Sequence, residues 1–132
     1  MIRGKDCGLI SLADEGYLQY MENIVRELCR NNGIDGLHLD YIRYNHLLYG
    51  WSTEDQVRYA AEGADISCLQ GYMQRMFCNE HKEENLLFDA YRDGDQNVLA
   101  LAQARRKDVV RFAKRLIDAA QSERRGLITS AA

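Results

Sequence analysis

Residues 33–44 read Gly33-Ile34-Asp35-Gly36-Leu37-His38-Leu39-Asp40-Tyr41-Ile42-Arg43-Tyr44. In an extended chain, successive side chains point to opposite faces. Leu37, Leu39 and Tyr41 therefore share one side, and Gly36, His38 and Asp40 share the other. This alternation predicts a strand with one apolar face to bury. Upstream, Tyr17, Leu18, Met21, Ile24, Val25 and Leu28 recur at steps of one, three and four, which predicts an amphipathic helix from about Asp14 to Asn32. Asp14 and Glu15 suit its positive end, and Arg26 and Arg30 suit its negative end. Asn31-Asn32-Gly33 supplies residues that tolerate the left-handed conformation at a helix terminus. Gly8-Leu9-Ile10-Ser11-Leu12 reads as a short earlier strand. Strand, helix and strand with a link of a few residues form a βαβ unit, whose strands lie parallel.

Downstream, Asn45 to Trp51 is aromatic and turn-like. Ser52-Thr53-Glu54-Asp55 resembles a capping box opening a short helix that stops at Gly63. Asp65 suits the cap of another helix, in which Cys68, Leu69, Tyr72, Met73, Met76 and Phe77 form an apolar stripe, read as core. Asn79 to Glu84 is a charged connection. Asp95 suits the N-cap of the longest helix, whose buried face runs from Val98, Leu99, Leu101 and Ala102 through Val109, Val110, Phe112, Ala113, Leu116, Ile117 and Ala120. Gly126 ends it, and Leu127 to Ala132 reads as a further strand. Asp93-Gly94-Asp95 lacks the spacing and closing glutamate of a calcium loop, so it reads as a turn plus a cap.

The 132 residues are 46% apolar and 28% charged, which excludes disordered and collagen-like chains. Seventeen Lys and Arg against twenty Asp and Glu give a net charge of −3, so no nucleic-acid partner is expected. No apolar run approaches the roughly 18 residues of a membrane helix. The first residues carry no signal-peptide core, and localisation stays open. Cys7, Cys29, Cys68 and Cys78 form no close pair of the kind a zinc site needs, so no metal is expected. Gly33 and Gly36 form no phosphate-binding glycine loop, and no cofactor is implied.

The run GIDGLHLDYIRY resembles the strand-four signature of the glycoside-hydrolase-like (β/α)8 barrel families, DGIHLDYIRYP. The helix before it resembles the one that leads into that strand. Residues 104–112, ARRKDVVRF, resemble the families' WRRxxVxxFV helix, and GLITSAA at 126–132 resembles the strand that follows. Two departures mark a divergent member: Asn45 replaces the proline after the motif, and Gln103-Ala104 replaces the tryptophan before the paired arginines. The resemblance implies an α/β fold, mostly helical by residue count, as part of a TIM-type barrel with parallel strands near Leu9, Leu37 and Ile128. Such a barrel takes about 250 residues. Residues 1–132 would then be a single partial domain, about half a barrel.

The resemblance further implies hydrolysis of glycosidic bonds, with Asp40 matching the motif aspartate as the catalytic carboxylate. Arg43 and Tyr44 match its polar pair, able to hold a carboxylate or sugar hydroxyl. His38 is placed to tune Asp40 or contact the sugar, and His46, Tyr49 and Trp51 offer a sugar platform. Glycoside hydrolysis needs two carboxylates, and no second one stands at a strand end here, so the chain alone is expected to be inactive. Structural alternatives stand beside these roles: Asp40 paired with Arg43 or capping a loop, His38 as an interior histidine, Arg105 and Arg106 as surface charges. The competing functional class is a non-catalytic helical binding or assembly module. In either case open strand edges would promote self-association.

Overall fold

The computed structural model describes residues 10–31, 33–44, 47, 49–77 and 85–132. Its elements follow the order α1 (Glu15–Asn31), β1 (Gly36–Leu39), α2 (Thr53–Ala61), α3 (Ile66–Phe77), α4 (Leu86–Arg92), α5 (Gln96–Glu123) and β2 (Ile128–Ala131). They divide into two compact units, residues 1–50 with 107–132 and residues 51–106, and α5 contributes to both.

The first unit is built from two helix–strand pairs, α1 with β1 and the later part of α5 with β2. Asp14 opens α1 by accepting the Tyr17 N–H at 2.8 Å, satisfying one of the amides that a helix start leaves unpaired. Each helix is followed by a glycine in the left-handed region, Gly33 at φ 56° and Gly126 at φ 83°. A side chain there would be strained, which is why glycine suits the turn from helix to strand. The strands pair in parallel, from Gly36 opposite Ile128 to Leu39 opposite Ala131.

Charged side chains join α1 to α5 in ascending order. Arg115 donates to Glu22 at 2.5 Å and to Glu15 at 2.6 Å, and Arg111 also reaches Glu15. Farther along, Arg26 bonds Ser122, and Arg30 grips Glu123 through two bonds of 3.1 and 3.0 Å. Early residues meet early ones and late meet late, so the helices run in the same direction, as the parallel strands require. Arg115 is the main reason the Glu15 carboxyl lies below its ordinary range. Beneath this seam lies the core of Leu18, Val25, Cys29, Leu39, Phe112, Leu116, Ala119, Ala120 and Leu127. Burying a leucine such as Leu116 contributes about 1.5–3 kcal/mol. The Tyr17 ring stacks on Phe112 with centroids 5.9 Å apart.

The second unit is organised by three helix caps. Ser52 Oγ accepts the Asp55 N–H at 3.2 Å while Asp55 accepts the Ser52 N–H at 3.0 Å, a reciprocal capping box around a fully buried carboxylate. Asp65 Oδ1 accepts from the amides of Ser67 and Cys68 at the start of α3. Asp95 Oδ1 accepts from Asn97 at 2.9 Å and Val98 at 3.0 Å at the start of α5, and its Oδ2 accepts from the Tyr72 hydroxyl at 2.9 Å. The buried side chains of this unit include Tyr59, Leu69, Met73, Met76, Leu87, Val98 and Leu101.

The fold differs from the expected part of a TIM-type barrel. No part of a TIM-type barrel forms among the described residues: they hold five helices and one two-stranded parallel sheet, and the molecule is mostly helical. Between β1 and β2 the described residues form four helices and no strand, where a barrel would alternate strands with helices. The strand expected near Leu9 does not form over its described part, Ile10–Leu12. There the Ser11 hydroxyl and carbonyl accept the N–H groups of Ala13 and Asp14, and the chain turns. Gly8 and Leu9 lie outside the described residues. No helix among the described residues is long and apolar enough to cross a membrane.

The Asp95 cap has a pH signature. The Val98 amide, then the Tyr72 hydroxyl and the Asn97 amide, favour its charged form and hold the carboxyl below its ordinary value of 3.8. A depressed carboxyl stabilises the fold above its unfolded pKa, and that contribution is lost as pH falls through the folded value. Asp95→Ala is expected to cost about 1 kcal/mol at pH 7. Asp95→Asn keeps most of the cap and flattens the fall in stability below about pH 4. Urea unfolding of both variants at pH 7 and pH 3 checks this; equal acid sensitivity of wild type and Asp95→Asn would contradict it.

Candidate functional site

The candidate site forms where β1 ends. Leu37 and Leu39 turn toward the core, and Leu39 is buried. The alternation therefore puts Gly36 and His38 on the outer face, where both are exposed. Across the ladder His38 faces Ser130, and its Nδ1 lies 2.8 Å from the Ser130 Oγ. Among the described residues no carboxylate meets the other ring nitrogen, so this pair lacks the third member of a nucleophile triad.

Asp40 follows the last residue of β1 and is exposed. The ladder closes just before it, with the Ala132 N–H donating to the Leu39 carbonyl at 3.1 Å. Tyr41 then turns the chain with φ at 54°, the one non-glycine residue in the left-handed region among those described. For a bulky side chain this is a sparsely populated conformation, costing of order 1 kcal/mol or more. The turn tightens as the Arg43 N–H donates to the Tyr41 carbonyl at 2.8 Å. The Arg43 guanidinium lies 4.8 Å from the centroid of the exposed Tyr41 ring. Arg43 therefore packs on Tyr41, and among the described residues it forms no ion pair with Asp40.

Tyr44 is placed differently from a free substrate contact. Its hydroxyl points to Asp108 on α5, donating to Oδ2 at 3.3 Å. Asp108 is 1% exposed. Its Oδ1 lies 3.8 Å from Arg111, which also bonds Glu15 and the Leu12 carbonyl. Trp51 belongs to the unit of residues 51–106. There it meets Tyr59 edge to face at 5.6 Å, and the Arg105 guanidinium lies 5.8 Å from its ring. Arg105 also donates to the Tyr59 hydroxyl at 3.2 Å, so this arginine joins the buried Tyr59 to the half-buried Trp51 rather than serving as a plain surface charge. His46 lies outside the described residues.

Residues 38–44 follow one another at this strand end, where the side-chain contacts among the described residues join His38 to Ser130, Arg43 to Tyr41 and Tyr44 to Asp108, and none joins Asp40 to the others. Sequence reasoning missed Ser130, Tyr41 and Asp108. For Asp108 a signal existed, since it stands four residues before Phe112 and eight before Leu116, a carboxylate on the buried stripe of the helix. No group of His, Cys, Asp and Glu among the described residues is arranged to hold a metal ion. Chemically, the strand end offers a solvent-facing carboxylate with an imidazole and a guanidinium nearby in the chain, donors and acceptors of the kind that bind polyols.

The turn at Tyr41 yields a stability test. Glycine adopts φ 54° without steric cost, so Tyr41→Gly is expected to leave stability unchanged or raise it by up to about 1 kcal/mol. Chemical denaturation checks this, and a loss above about 1 kcal/mol would show that the left-handed turn is absent. No family model, curated protein or solved structure matches the chain.

Proposed function

We propose that the chain acts on carbohydrate, contributing Asp40 as a catalytic carboxylate for hydrolysis of glycosidic bonds. The observation that carries the reading is the placement of Asp40, exposed at the carboxyl end of a parallel strand pair. Ligands of parallel α/β proteins gather at that edge. The likeness of residues 33–44 to the glycoside-hydrolase-like motif supports the same assignment.

In this reading Asp40 attacks the anomeric carbon, or activates a water toward it, as the glycosidic C–O bond breaks and a second carboxyl group protonates the departing oxygen, while His38 and Arg43 hold sugar hydroxyls. The second carboxylate must stand about 5–5.5 Å away for retention or 6.5–9.5 Å away for inversion. The other strand, Ile128–Ala131, carries none. With Asp40 alone assigned at this edge, the expected outcome for these residues is binding of sugar without cleavage.

Titration of the 15N-labelled chain with neutral oligosaccharides of different linkage tests this. One class is expected to shift the amides of residues 36–43 and 130–132, with no release of reducing sugar. Asp40→Asn should weaken that binding about 10- to 100-fold, the loss of a charge-assisted hydrogen bond. If no oligosaccharide perturbs the strand end at millimolar concentration, the carbohydrate reading fails.

One observation favours self-association as a second property. Parallel sheets are ordinarily covered on both faces, yet Gly36, His38, Ile128 and Ser130 leave the outer face open, with Ile128 73% exposed. Residues 127–132 have no charged side chain to oppose edge pairing with another copy. Sedimentation velocity over a concentration series is expected to show association, reduced in Ile128→Lys. A monomer at every concentration would exclude it.

A further inference from the structure

The geometry points to Asp108 as the positioning residue of the strand-end turn, holding Asp40 in place through the Tyr44 hydroxyl. The functional consequence rests on the reading of Asp40 as the reacting carboxylate, but the structural claim stands apart from it. Three observations converge. The turn from Asp40 to Tyr44 contains a strained residue, Tyr41, and strain of this kind persists only where the surroundings over-determine it. One end of the turn is fixed where the Ala132 N–H meets the Leu39 carbonyl. The other end is fixed where the Tyr44 hydroxyl meets Asp108, a carboxylate withdrawn from solvent to 1% exposure.

A buried carboxylate is costly unless it is bonded. Phe112 and Leu116, four and eight residues farther along α5, place apolar side chains on the same buried face. Asp108 meets a residue of the turn on one oxygen. Its other oxygen lies beside Arg111, which is tied in turn to Glu15 and to the Leu12 carbonyl at the start of α1. The turn is thus referenced to both helices of its unit and not to the strands alone. Asp108 touches no substrate in this account; it acts through Tyr44 on the direction in which Asp40 is presented.

The test uses the full chain with Tyr44→Phe, Asp108→Asn and Asp108→Ala. Tyr44→Phe keeps the ring and removes only the donor, so the chain still folds. In that variant the amide resonances of residues 40–43 and the side-chain carboxyl carbon of Asp40 are expected to shift, with residues 36–38 and 128–130 unchanged. Asp108→Asn retains an oxygen that accepts from Tyr44, and is expected to restore most of the wild-type resonances at residues 40–43 relative to Asp108→Ala. For an oligosaccharide that binds the wild type, Tyr44→Phe should weaken binding about five- to tenfold. Unmoved resonances at residues 40–43 in folded Tyr44→Phe would overturn the inference, leaving Asp108 a purely structural residue. Shifted resonances in a chain that binds no oligosaccharide would sustain the positioning role and refute the carbohydrate reading alone.

Discussion

The parallel pairing of Gly36–Leu39 with Ile128–Ala131 is the constraint on which the rest of the first unit depends. It joins segments some ninety residues apart, so its few hydrogen bonds must be supported by other interactions to offset loop closure. That support comes from beneath and beside. Leu39 and Leu127 enter a core with Phe112 and Leu116, and Arg115, Arg30 and Arg111 tie the two helices parallel to each other, as the two strands are. Arg124 adds a tie between the turns, bonding the Ile34 carbonyl and, at 3.1 Å, Asp35. Four residues of ladder alone would be marginal; packed on two parallel helices, they fix the register.

Register in turn determines chemistry. With Gly36 opposite Ile128, the side chains of His38 and Ser130 meet on the outer face, and the chain leaves the sheet at Asp40. A slip of one residue would bury His38 and expose Leu39. Beyond the ladder, the left-handed turn at Tyr41 and the anchored Tyr44 hold the exit path, so the strand end presents a carboxylate from a defined backbone. The second unit is organised by shorter-range means, three capped helices and an Arg105–Tyr59–Trp51 cluster.

Legibility followed range. Helices α1 and α5 were readable because their apolar residues recur at the helical period. The caps at Ser52, Asp65 and Asp95 were readable because capping is a matter of three or four adjacent residues. Strand β1 was readable from its alternation, and β2 from the glycine that ends the helix before it. Helix α4 was not, since it is seven residues long and leaves Phe88 and Tyr91 facing outward, which erases the amphipathic pattern. Val110, assigned to the buried stripe, is 60% exposed, while Asp108 is buried; apolar character alone does not state which helix face meets a neighbour. The extent of the sheet was the largest error. A strand motif that resembles a barrel strand specifies the strand and its end, but partners across a sheet are set by the whole chain. The His38–Ser130 contact, 92 residues apart in sequence, was invisible for the same reason.

The central claim is that Asp40 leaves a parallel ladder beside Ala132. Interstrand nuclear Overhauser effects test it most directly. Cross-peaks are expected to join residues 36–40 to residues 128–132 in ascending order. Cross-peaks in descending order, or none between the two segments, would contradict it and remove Asp40 from the strand end on which its chemistry rests.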